Sequence, residues 1–141
     1  MTFFIDANVL VYSAAPESER GRACASILRA VAAEDAGGRT STAALEEVWD
    51  LERRGRVRGL TGLTDRAFQV LSPLLAVTDE VFATALDLDA PDAGTNDRLH
   101  LACCVRNEIE VIVSSDRGLD GGHGIERVDP LDEPAVRSLL A

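Results

Sequence analysis

Lysine is absent: all fourteen basic residues of this 141-residue chain are arginine. That removes the Schiff-base lysine, the lysine of phosphate-binding loops and the lysine that accompanies many aspartyl-phosphate sites. Cysteine is scarce too. Cys24, Cys103 and Cys104 are odd in number and contain no CxxC pair, so neither a disulfide framework nor a cysteine-built zinc site is expected. The two histidines do not form a pair at ligand spacing. No apolar run approaches the about 20 residues needed to cross a bilayer, and the chain opens on FFIDANVLVY, not on a charged leader. A cytoplasmic protein with no membrane attachment is the expectation.

What is present is an apolar fraction of 46%, enough for a real core in one domain spanning residues 1–141. Twenty-four acids against fourteen bases leave a net charge of −10, which rules out unaided long-range attraction to nucleic acid or anionic lipid. A phosphate-bearing substrate would need local help.

The pattern alternates strands and helices. Phe3, Phe4 and Ile5 make a short apolar run ended by Asp6, and Val9-Leu10-Val11-Tyr12 suits a buried strand leading into a turn and helix. Helical spacing runs over residues 18–33, with Gly37-Gly38 as its stop. Thr40-Ser41-Thr42 offers caps to a helix bearing Leu45, Glu46, Glu47, Val48 and Trp49, and a weaker helical pattern over residues 64–75 runs into Pro73. Thr78 caps the next helix, and residues 89–94 read as loop. Thr95-Asn96 can cap a helix over residues 97–106, and residues 109–113 form the second strong strand, followed by Ser114-Ser115-Asp116. Gly121-Gly122 turns the chain into a short strand over residues 125–128 and a terminal helix over residues 132–140. The fold class is therefore α/β: a three-layer arrangement with a mainly parallel central sheet flanked by helices.

In such sheets ligands bind beyond the carboxyl ends of the strands, where Asp6 and Asp116 fall. Asp97 in a helix's first turn and either Glu46 or Glu47 can join them. Two bare carboxylates about 4 Å apart repel by about 4 kcal/mol at an effective dielectric of 20, so such a cluster takes up protons or holds a cation. Oxygen ligands point to Mg²⁺ or Mn²⁺, and the chemistry that follows is phosphoester hydrolysis without lysine or catalytic histidine. Asn8, Glu46 and Asp120 are supporting candidates. His100, three residues after Asp97 on the same helix face, is expected to be a hydrogen-bonded core histidine outside the catalytic set. Cys103 and Cys104 are expected to fill the core. Arg53, Arg54, Arg56 and Arg58 either contact RNA phosphates or a partner's acidic groups, or form a solvated helix end.

FFIDANVLVY with Asp6 and Asn8, TSTAALEEVWDL, NDRLHLACC and IVSSDRGLD stand in the order and spacing of the motifs of the PIN-domain ribonucleases, and the chain resembles that family, within it the VapC toxins of bacterial toxin–antitoxin pairs. The resemblance implies Glu47 over Glu46 as the second acid, with Asp6, Glu47, Asp97 and Asp116 catalytic and Asp6, Asp97 and Asp116 on the metal. It also implies a Mg²⁺- or Mn²⁺-dependent endoribonuclease cleaving single-stranded or looped RNA to 5′-phosphate and 3′-hydroxyl ends, a homodimer and a cognate antitoxin. The competing expectation is a non-catalytic α/β module whose acids hold a metal ion or a basic peptide.

Overall fold

The computed structural model describes residues 1–121 and 123–141. Gly122 of the expected Gly-Gly turn lies outside the described residues. Strand β1 (Thr2–Ile5) buries Phe3, Phe4 and Ile5 completely, and a strand apolar on both faces needs cover on both. It pairs in parallel with β2 (Gly37–Arg39) on one side and β3 (Val111–Val113) on the other, and β3 pairs in parallel with β4 (Glu126–Val128). The sheet order is β2-β1-β3-β4. Among the described residues seven helices flank it: α1 (Ala7–Ser13), α2 (Glu19–Ala32), α3 (Thr42–Arg54), α4 (Leu63–Leu71), α5 (Asp79–Asp87), α6 (Thr95–Arg106) and α7 (Glu133–Leu140). The architecture is α/β with a parallel central sheet.

Several boundaries differ from the sequence reading, each for a local reason. Val9 to Tyr12 are helical, not strand. Asp6 stays extended and accepts the Ala7 amide at 2.7 Å, so α1 starts directly after β1 with no separate turn. Gly37 and Gly38 do not stop α2. That helix ends at Ala32, Glu34 supplies a left-handed residue with φ of 61°, and the glycines form β2. Glycine is needed there because a Cβ on Gly38 would meet Val31 and Ile5 side-chain carbons at 2.6 and 2.7 Å. Helix α6 begins at Thr95, with Gly94 as a cap that makes no side-chain bond, so Thr95 and Asn96 lie inside the helix. β3 starts only at Val111, because the Ile109 amide still closes α6 on the Cys104 carbonyl at 2.9 Å. α4 ends at Leu71, two residues before Pro73.

The Asp6 amide donates to the Val113 carbonyl at 3.0 Å, one residue beyond the β1–β3 pairing. That bond sets the first acid beside the start of the Ser114-Ser115-Asp116 segment.

Candidate functional site

Asp6 ends β1 and caps α1, and only 3% of it is exposed. Its Oδ1 takes the Ala7 amide at 2.7 Å, and its Oδ2 takes the Ser114 hydroxyl at 2.6 Å and the Asn8 side-chain amide at 3.1 Å. A buried carboxylate survives by accepting hydrogen bonds, and these three fix its orientation. Burial still raises its pKa, with Glu47 adding to the rise, while His100, Ser114 and Ala7 pull the other way without cancelling it.

Glu47 reaches the same point from α3. His100 Nε2 lies 3.1 Å from Glu47 Oε1 and 3.7 Å from Asp6 Oδ1, and ligand-type atoms of Asp6, Glu47 and His100 all fall within 4.8 Å of one another. The imidazole is fully buried and stacks on Phe4 at 5.5 Å. Burial opposes its charged form, but the hydrogen bond to Glu47 and the charges of Asp6, Glu47 and Asp97 outweigh that, and its pKa is raised. His100 is thus buried and hydrogen-bonded as expected, but its partners belong to the acidic cluster.

Asp97 enters from the first turn of α6 and Asp116 from the residue that opens the short helical turn Arg117–Leu119. Burial, the hydrogen bond shared with Asp116 and the charges of Asp6 and Asp116 push the Asp97 carboxyl up to about 7, against the pull of His100. Asp116 is exposed at the rim, where its Oδ1 accepts the Gly118 amide at 2.8 Å. At the carboxyl edge of the sheet Asp6 and Glu47 therefore meet around His100, and Asp97 shares a hydrogen bond with Asp116 and feels the charge of Asp6.

The sequence matches the PIN domain family over residues 3–121. The chain belongs to the PIN domain family. PIN domains are in general nucleases. A comparison with curated proteins finds no match. Among solved structures, the fold is similar to VapBC2 from Rickettsia felis bound to a DNA fragment from their promoter, with a TM-score of 0.68 and 12% identity over 92% of this chain and 98% of that one. It is also similar to PAE2754 from Pyrobaculum aerophilum, with a TM-score of 0.62 and 17% identity over 99% of this chain and 96% of that one.

The rest of this PIN domain sorts the other candidates by position. Glu46 is exposed on α3 and stands outside the cluster, whereas its neighbour Glu47 is inside it. Asn8 bridges Asp6 Oδ2, Ser114 Oγ and, through its Oδ1, the Ser115 amide at 3.3 Å. Asp120 is drawn away: its two oxygens meet Arg127 Nε at 2.7 Å and Nη2 at 3.4 Å. Arg53, Arg54, Arg56 and Arg58 are all exposed at and beyond the end of α3, Arg53 lying over the Trp49 ring and Arg54 paired with Asp50. Cys103 and Cys104 are buried in α6.

Sequence reasoning missed Ser114. Its hydroxyl donates to Asp6 Oδ2 and accepts from Asn8 Nδ2 and the Asp116 amide, both at 3.0 Å, so it joins three members of the site. The signal was a hydroxyl two residues before an acid at a strand end, which alone reads as a turn. The donor chemistry suits a hard divalent cation: Asp6 and Glu47 approach each other at His100, and Asp97 holds its proton up to about 7 because of burial first, then the Asp116 hydrogen bond and the charges of Asp6 and Asp116. Mg²⁺ or Mn²⁺ would relieve that crowding. The one nitrogen, His100 Nε2, is already engaged by Glu47.

Proposed function

We propose that this PIN domain is a Mg²⁺- or Mn²⁺-dependent endoribonuclease and the toxin component of a toxin–antitoxin pair. The observation that carries the reading is acids from separate elements at one edge of a parallel sheet, Asp6 and Glu47 around His100 and Asp97 against Asp116, with the Asp97 carboxyl displaced to about 7 by burial and by Asp116 and Asp6. In this reading Asp6, Asp97 and Asp116 hold the ion and Glu47 completes the catalytic acids. The ion would lower the pKa of water and offset charge growing on the phosphoryl oxygens.

The chain's own side chains do the positioning. Ala7, Asn8 and Ser114 fix the Asp6 carboxylate, and His100 aims Glu47. Single-stranded or looped RNA is the substrate class, because splayed bases and bent backbones reach an edge site that a regular duplex does not. With a net charge of −10, phosphate capture falls to the ion and to the exposed Arg53, Arg54, Arg56 and Arg58. Likeness of fold to a toxin–antitoxin complex supports an antitoxin as partner. Exposed Trp49, Phe68, Phe82 and Leu86 offer apolar surface for that partner and for a homodimer.

The test is incubation of the purified chain with labelled RNA and Mn²⁺, with and without chelator. Chelator-sensitive cleavage that leaves 5′-phosphate ends, and its loss in Asp6→Asn, are the expected results. Absence of metal-dependent cleavage, or full activity in Asp6→Asn, would overturn the reading in favour of a binding module.

A further inference from the structure

We infer that Arg127 is a positioning residue for the acidic centre, its guanidinium clamping the backbone of Ser114 so that the Ser114 hydroxyl stays between Asp6, Asn8 and Asp116. The inference rests on the nuclease reading above for its consequence, and on geometry alone for the clamp itself. Arg127 lies on β4, and no motif marks it. Its side chain is only 11% exposed.

Ser114 is fully buried, and every polar group it carries is engaged. Its amide donates to the Val128 carbonyl at 3.1 Å, one residue past the β3–β4 pairing. Its carbonyl accepts Arg127 Nη1 at 2.9 Å. Its hydroxyl then faces the site, holding Asp6 Oδ2 at 2.6 Å and receiving Asn8 Nδ2 and the Asp116 amide. Rotation of this one peptide would shift Asp6 and Asp116 together. The guanidinium resists that rotation because it is itself fixed from two further sides: both Asp120 oxygens grip its Nε and Nη2, and Asp129 Oδ2 stands 3.5 Å from Nη1. Asp129 in turn holds Arg20 of α2 at 3.1 Å through its other oxygen. Asp120 thereby acquires a place in the site at one remove, as the carboxylate that orients the fork. A lysine ammonium cannot serve Ser114 and both Asp120 oxygens at once, since it lacks the rigid planar fork.

The experiment compares the full chain with Arg127→Gln, Arg127→Lys and Arg20→Gln. Arg20→Gln is the control for general destabilisation, because it strips Asp129 of a partner and leaves the bonds of Arg127 to Ser114 and Asp120 in place. Amide hydrogen exchange is read on metal-free protein at Ser115, Asp116 and Gly118, Mn²⁺ affinity by spin resonance of the free ion, and RNA cleavage as separate kcat and KM. In Arg127→Gln the three amides are expected to exchange about tenfold faster. Mn²⁺ affinity falls about tenfold to a hundredfold. kcat drops with KM nearly unchanged, Arg127→Lys is intermediate, and Arg20→Gln lowers Tm without these changes. Wild-type exchange and Mn²⁺ affinity in Arg127→Gln, or equal losses in Arg20→Gln, would overturn the inference. If Arg127→Gln does not fold, Arg127→Lys and Asp120→Asn carry the same comparison. Failure of the wild-type chain to bind Mn²⁺ or cut RNA would sink the nuclease reading instead, and the metal-free exchange data would still decide the clamp.

Discussion

Glu46 and Glu47 are adjacent in sequence and about 100° apart on their helix, and that rotation separates solvent from the acidic cluster. Glu47→Gln is expected to cut RNA cleavage by about a hundredfold or more, with Glu46→Gln close to wild type. Initial rates at saturating Mn²⁺ decide between them. Asp97 carries the second residue-level prediction. Its folded pKa of about 7 exceeds the ordinary carboxyl value of 3.8, so the folded state binds this proton more tightly than the unfolded chain. Stability from this group is full below about 4 and falls as pH rises through about 7. Asp97→Asn should therefore stabilise the metal-free protein at pH 8 by about 1–2 kcal/mol once solvent screening of a partly exposed carboxyl is allowed for, a rise in Tm of roughly 3–6 °C, and should leave Tm unchanged near pH 4. Calorimetry at the two pH values measures it. At this scale the sequence marks Asp6, Asp97 and Asp116 because each stands at the end of an apolar run or in a first helical turn. It cannot mark Ser114, whose bond to Asp6 spans 108 residues, nor Arg127, which reaches the site only through the Ser114 carbonyl.

Elements were legible where burial is continuous and illegible where backbone contact decides. β1 and β3 announce themselves through FFI and VIV. β2 is Gly-Gly-Arg, which carries no apolar signature and becomes a strand only because β1 offers an edge and the space beneath Val31 excludes side chains. The same kind of contact governs how the turn after α1 packs on α2. A Cβ on Gly21, in the first turn of α2, would fall 1.7 Å from the Ala15 carbonyl oxygen, which is backbone and cannot swing aside. Gly21→Ala is expected to destabilise by about 1–3 kcal/mol, despite alanine's better helix propensity, as read from urea unfolding. An unchanged midpoint would mean that the two helices separate more easily than their packing indicates.

At the scale of the molecule, an excess of ten negative charges and an acidic edge would make a bound cation a stabiliser as well as, under the nuclease proposal, a reagent. Mg²⁺ at a hundred times its Kd should add about 2.7 kcal/mol, a rise in Tm of roughly 8 °C, abolished by chelator and by Asp116→Asn. Acid acts instead on the carboxylates that hold Arg127. The Arg127 hydrogen bond lowers Asp120's pKa, and Asp129, despite its burial, is lowered by the Leu131 amide and Arg20. Their contribution is present above about 4 and lost as pH falls through the lower folded values. The metal-free protein is therefore expected to be most stable near pH 5, with Mg²⁺ moving the optimum upward because the ion and the Asp97 proton compete.

The first strand of the chain is an interior strand, held between residues 37–39 and residues 111–113. During synthesis its second edge stays open until residues 111–113 have emerged, and pairings that distant form late and slowly. Chains that stop before residue 114 therefore have Asp6 without Ser114 and Asp116, and under the nuclease proposal they are expected to be inert, so that whatever damage the finished molecule inflicts is withheld from the ribosome still making it.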